Sequence, residues 1–204
     1  TNNTAIGNQA LRYNTTGTEN TAVGAISLDA NTTGTENTAI GYQSLSANTT
    51  ASFNTALGRK ALRDNTTGAS NTAVGADALL ETTTGDNNTA VGYQALAANT
   101  TADNNTALGY RALKANTTGY ENVAIGVESL DTNTTGHTNT GIGYKALESN
   151  NANGNTACGA YALYVNTTGT ENSAVGKSAL GANIGGSYNC AFGREALRLN
   201  TGGN

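Results

Sequence analysis

Residues 20–34 read Asn-Thr-Ala-Val-Gly-Ala-Ile-Ser-Leu-Asp-Ala-Asn-Thr-Thr-Gly, and with Thr35-Glu36 they complete a seventeen-residue unit that the chain writes twelve times. The glycine after the aliphatic residue fixes the register: Gly7, Gly24, Gly41, Gly58, Gly75, Gly92, Gly109, Gly126, Gly143, Gly159, Gly176 and Gly193. Every interval is seventeen residues except the one of sixteen between Gly143 and Gly159, where residues 150–154 have lost a turn residue. A leucine follows each of these glycines by four positions, from Leu11 to Leu197. Self-similarity at a short fixed period marks a solenoid, in which a unit buries its apolar face only against its neighbours. The expectation is therefore an all-β, parallel β-roll-like solenoid of twelve coils, one repeat domain over residues 1–204. Solenoid ends need caps, so the segment is expected to belong to a longer chain that supplies them.

Composition agrees with a thin core. Aromatic residues make up 5 % of the chain, and Trp, Met and Pro do not occur, while there are 26 glycines. Disordered chains of low hydrophobicity usually carry high net charge, and here it is −4. No basic stripe arises from the ten scattered Lys and Arg, which argues against nucleic acid and against membrane surfaces as partners. No apolar run approaches the roughly 18 residues that span a bilayer.

Within one unit, Asn20-Thr21-Ala22-Val23-Gly24 suits a short strand ended by a residue free to take positive φ. The second stretch, such as Tyr93-Gln94-Ala95-Leu96-Ala97-Ala98, fits either a second short strand or a single helical turn. Asn31-Thr32-Thr33-Gly34 closes the coil, because Asn bonds its own backbone and Gly tolerates left-handed geometry. Stacked coils place equivalent residues in ladders, so the Asn series Asn3, Asn20, Asn37 through Asn189 is expected to hydrogen-bond along the stack. For the series Asn14, Asn31, Asn48 a ladder and a plain turn role are equally open.

Neighbouring strand residues face opposite sides, so adjacent apolar pairs such as Ala39-Ile40 make both faces apolar. One face becomes the coil's own core, and the other is expected to meet a partner chain.

The Asn-Thr-Ala-Val-Gly string resembles the head repeats of trimeric autotransporter adhesins, whose units carry Asn-Ser-Val-Ala-Ile-Gly. The longer run from Asn88 to Thr101 is more similar to repeats of phage and large-virus tail-fibre proteins and related bacterial surface proteins, and the resemblance covers the whole chain. The adhesin resemblance implies a left-handed, trimeric, extracellular β-roll that binds host matrix or receptors. The fibre resemblance implies a shaft or receptor-contact region, often upstream of a cleaved intramolecular chaperone. The period here is longer than that of the adhesin head, which alters the coil's cross-section, and no chaperone segment is read in this chain.

Chemistry is sparse. His137 sits in a variable turn without a second ligand at metal spacing and reads as a solvated turn residue. Cys158 and Cys190 lie two coils apart, about 9.5 Å by strand spacing, too far for a disulfide, and read as small core or semi-buried residues. Turn glutamates such as Glu19 and Glu36 read as solvated charge, not as a Ca²⁺ site. The Asn-x-Thr sequons at Asn14, Asn31, Asn48 and Asn65 fall out of the repeat. No nucleophile, base and orienter set is found, so neither an enzyme nor a cofactor or metal is expected.

The variable slots are open to two readings, recognition or an exposed ladder that merely shields the turn. The position after the glycine holds Tyr42, Tyr93, Tyr110 and Tyr144, with Tyr93 and Tyr110 on successive coils, and tyrosines on a polar surface suit glycan or protein contact. The functional expectation is a structural and adhesive rod of a virion fibre or bacterial surface protein, extracellular and homo-oligomeric with a trimer favoured. The rival is an ice-binding solenoid that uses the threonine ladder Thr21, Thr38, Thr55, Thr72, Thr89 and Thr106, a series interrupted by Val123, Ser173 and Cys190.

Overall fold

A computed structural model describes residues 2–203. It contains the three-residue strands β1 (Thr4–Ile6), β2 (Thr21–Val23), β3 (Thr38–Ile40), β4 (Thr55–Leu57), β5 (Thr72–Val74), β6 (Thr89–Val91), β7 (Thr106–Leu108), β8 (Val123–Ile125), β9 (Thr140–Ile142), β10 (Thr156–Cys158), β11 (Ser173–Val175) and β12 (Cys190–Phe192). The chain divides into two compact units, Thr1–Asn104 and Asn105–Asn204. In the first, β1 to β6 pair in parallel and in chain order; in the second, β7 to β12 do the same. Each unit is thus a β-solenoid with one strand per coil, as the period implied. The repeat sets the register: Thr38 stands beside Thr21 on one side and Thr55 on the other.

The second stretch of the coil is neither strand nor helix; no helix occurs among the described residues. It is a turn in which the second and fourth residues after the glycine take positive φ, as in Gln43 at 56° and Leu45 at 49°. An α-helix needs consecutive residues near φ −63°, with each N–H bonded four residues back in the same segment. Here the neighbouring coils supply the partners instead. The Leu28 N–H donates to Ser44 O at 2.9 Å, and Gln43 N–H donates to Ala25 O at 3.1 Å.

Left-handed leucine costs roughly 1–2 kcal/mol, yet fully burying that side chain gains about 1.5–3 kcal/mol. Burial wins, and Leu28, Leu45, Leu62, Leu79 and Leu96 in the first unit and Leu113, Leu130, Leu147, Leu163 and Leu180 in the second are wholly inaccessible. The strand alanines, such as Ala22 and Ala107, complete the core. Where serine replaces the alanine before the leucine, its hydroxyl finds a carbonyl: Ser27 Oγ donates to Gly24 O at 3.0 Å. Gly24, at φ 131°, is obligatory, because a Cβ there would stand 2.6 Å from Gly41 O.

Two asparagines staple every coil except the one that carries Thr82. In the second coil, Asn20 and Asn31 both donate their side-chain amides to Gly34 O, at 2.8 and 3.0 Å. Their Oδ1 atoms then accept from the next coil, Asn20 from the Asn37 N–H and Asn31 from the Asn48 amide. Both asparagine series are therefore ladders, including the one whose role the sequence left open. The sequon asparagines Asn31, Asn48 and Asn65 are fully buried by these bonds.

The sixteen-residue coil is absorbed by a side chain. In an ordinary coil Thr32 and Thr33 N–H groups donate to the backbone carbonyl of Thr49. At the deletion, Thr134 and Thr135 N–H groups donate to Asn151 Oδ1 instead, each at 3.0 Å. The register survives, with Thr156 beside Thr140.

Two ladder steps are broken among the described residues: at the shortened coil Asn133 Oδ1 is buried without a partner, and a substitution breaks the other. Thr82 stands where an asparagine is due, and Asn65 Oδ1 is left buried without a partner. Thr82→Asn restores the donor and is expected to stabilise the chain by about 1–2 kcal/mol in denaturant titration; a lower transition midpoint would contradict the ladder account. Ile26 is a β-branched residue at φ 59° and only half-buried. Ile26→Asn is expected to raise stability by about 1 kcal/mol, since Asn tolerates that conformation and little burial is lost. Thermal melting of the variant checks it.

Candidate interaction surface

Strand alternation sends the middle alanine inward and the first and third residues outward. Ala39 and Ala56 are inaccessible, whereas Ile40 is 37 % and Leu57 44 % exposed in the first unit, and Leu108 is 46 % exposed in the second. The outward face thus carries a threonine file beside an aliphatic file. Thr21, Thr38, Thr55, Thr72 and Thr89 stand in register along the first unit; all are half-buried except the exposed Thr89. Thr106 opens the corresponding file of the second unit, where Val123 interrupts it before Thr140.

The same alternation corrects the reading of the cysteines. Cys158 is the third residue of β10 and Cys190 the first of β12, so both thiols are free and exposed on this outward face, not in the core.

The tyrosines in the slot after the glycine are exposed by nearly half: Tyr42 and Tyr93 in the first unit, Tyr110 and Tyr144 in the second. Tyr144 meets Tyr161 edge to face at 5.2 Å, and Tyr161 meets Tyr164 likewise at 5.4 Å. The hydrogen bond with Tyr144, reinforced by desolvation, holds the Tyr161 phenol above its ordinary pKa. Sequence reading missed Tyr161 and Tyr164 because they lie one and four positions beyond the slot that was followed. His137 is half-buried and stacks on Tyr120 at 4.6 Å with planes 9° apart, so it is not a freely solvated turn residue. The signal was available: both residues follow the closing glycines, Gly119 and Gly136, of successive coils.

Charge is paired across coils. In the second unit Arg111 reaches Asp131 at 2.9 Å and Glu128 at 3.4 Å, and Lys145 reaches Glu128 at 3.1 Å and Glu148 at 3.5 Å. The hydrogen bond to Glu128 raises the Lys145 ammonium above its usual range. Burial pushes the Asp131 carboxyl up, more than the Arg111 charge pulls it down. In the first unit Arg59 pairs with Asp77 at 2.7 Å. Among the described residues no three His, Cys, Asp or Glu side chains are grouped to hold a metal ion. No described helix is long and apolar enough to cross a membrane. The surface therefore offers apolar contact, hydroxyls, aromatic edges and neutralised charge.

Comparison with protein-family models, curated proteins and solved structures finds no match to this chain.

Asp131 gives a pH test. Its folded pKa is raised, so its ionisation costs stability, and that cost appears as pH rises through the folded pKa. Asp131→Asn is expected to melt at or above the parent chain near pH 7, with the difference shrinking towards about pH 3 where the parent carboxyl is protonated. A variant that melts below the parent at pH 7 but matches it near pH 3 would show that the Arg111 pairing outweighs burial.

Proposed function

We propose that the chain is a structural and adhesive rod of an extracellular surface, either a virion fibre or a bacterial surface protein, with no catalytic role. The observation that carries this reading is the outward strand face, which presents an aliphatic side chain in coil after coil while the interior is already saturated. Exposed apolar ladders of this regularity mark association surfaces. A second copy of the same chain has the same coil repeat, so its ladder is commensurate with this one at every step of about 4.8 Å. Three copies packed through this face, with Tyr42, Tyr93, Tyr110 and Tyr144 left outside to meet a host-surface glycan or protein, form the favoured assembly. The resemblance of the repeats to fibre and adhesin units supports the same reading.

A second reading is favoured by a specific feature of that face. Thr and aliphatic residues two positions apart form two outward files on parallel strands in register, a regular array of hydroxyls and methyl groups suited to ice. Two measurements separate the readings. Sedimentation equilibrium at micromolar concentration is expected to give a trimer, and Leu57→Lys with Leu108→Lys is expected to disperse it without changing the circular dichroism. A stable, compact monomer of the parent chain overturns the rod assembly, and a clear thermal hysteresis in its solutions puts ice binding in its place.

A further inference from the structure

We propose that a cleft in the second unit binds a single acidic sugar residue, with Arg198 taking its carboxylate. Tyr164, Gly181 and Arg198 occupy the same slot, five residues after Gly159, Gly176 and Gly193. Two coil steps put the outer pair about 9.5 Å apart along the stack, with no side chain between them. Other coils of this unit fill the slot with Lys114, Asp131 or Glu148. Gly181 is not required by the backbone. It lacks the left-handed φ of Gly176, and a Cβ there would meet Ser178 O at 3.1 Å, Tyr161 O at 3.5 Å and Ser178 C at 3.6 Å, so a side chain fits with a shift of a few tenths of an ångström. The missing side chain is a feature of the sequence, and the result is a cavity of about 210 Å³ lined by Tyr161, Tyr164, Ser178, Gly181, Ala182 and Arg198.

The volume is below the roughly 300–1,000 Å³ of clefts that hold drug-sized molecules, so the occupant is about one ring in size. The lining mixes polar and apolar surface: Tyr164 and Ser178 bring hydroxyls while the Tyr161 and Tyr164 rings and Ala182 bring apolar faces, a mixture that suits a polyhydroxylated ring with one apolar face. The edge-to-face packing of Tyr161 on Tyr164 fixes the aromatic wall, and a sugar's apolar face can lie on it. Arg198 is half-exposed, and its recorded pairing runs through Nε to Glu195 at 3.8 Å. Its guanidinium is a planar fork that matches a carboxylate bidentately. Across the three coils that wall the cleft, Lys177, Arg194 and Arg198 stand against Glu171 and Glu195, three cations to two carboxylates, so an anion is favoured over a cation.

This site deepens the adhesive reading and rests on it for biological context, but it is tested on the chain alone. Titration of the full chain with glucuronate, followed by isothermal calorimetry and tyrosine-ring NMR shifts, is expected to give binding on the order of millimolar. Glucose and benzoate, each lacking half of the recognised chemistry, are expected to bind at least about tenfold more weakly. Gly181→Leu fills the cleft and is expected to abolish binding; Arg198→Gln, on the open surface, is expected to weaken it about tenfold or more while leaving the melting temperature unchanged. Absence of glucuronate binding, equal binding of benzoate, or undiminished binding in Arg198→Gln overturns the proposal. A trimer that ignores glucuronate sinks this site alone, whereas a monomer that binds it sinks the rod assembly and leaves the site standing.

Discussion

Coil closure converges on one carbonyl group. Gly34 O accepts the amides of both Asn20 and Asn31, so two segments fourteen and three residues upstream converge on a single oxygen. A carbonyl has two lone pairs, and both are used. Without these bonds the oxygen and two amides would be buried unpaired, at about 1–3 kcal/mol for each group. The same asparagines pass their Oδ1 atoms to the next coil, so closing one coil and stacking the next are a single act of hydrogen bonding. That is why residues with weak strand and weak helix preference can hold a regular structure around a core of little more than alanine and leucine.

The staple also explains the tolerance of unfavourable backbone. Three non-glycine residues of the third coil, Gln43, Leu45 and Phe53, take positive φ. Alone, such a turn would relax. Held between neighbours that bond its N–H and C=O groups at the correct spacing, it persists, and at the leucine it directs the largest side chain into the core. Gln43 is only half-buried, so inter-coil bonding, such as its N–H to Ala25 O at 3.1 Å, carries more of the turn there.

Much of this was legible in the residues. Gly24 and its equivalents, spaced by seventeen, set the strand register, and the pair Ala39-Ile40 foretold one inward and one outward apolar file. The turn was not legible, because propensity scales rank glutamine, alanine and leucine as helix formers and take no account of neighbours that compete for the same backbone groups. The deletion was visible at residues 150–154, but its repair was not: that Asn151 Oδ1 would replace a backbone carbonyl depends on geometry in three dimensions. Cys158 was misplaced for a related reason. An aliphatic slot looks like core until strand alternation assigns the core to its alanine neighbour. Tyr161 escaped because ladders were read one slot at a time, whereas edge-to-face rings join different slots of adjacent coils.

The division of labour that results is sharp. Bonds that specify the coil run through Asn, Gly, Ala and Leu, and nearly all of those side chains point inward. Outer slots carry almost no folding information, so they can change without altering the register: the slot five residues past the glycine holds Arg12, Asp29, Leu80, Tyr164 and Gly181 in turn. In a globular core, deleting a side chain opens a cavity that the structure closes or suffers. On a stacked ladder the flanking coils are held by their own staples and do not collapse into the gap, so a glycine at position 181 leaves a walled space between Tyr164 and Arg198. A repeat of this kind acquires a binding site by omission as readily as by addition, because the scaffold beneath is indifferent to what its outer slots contain.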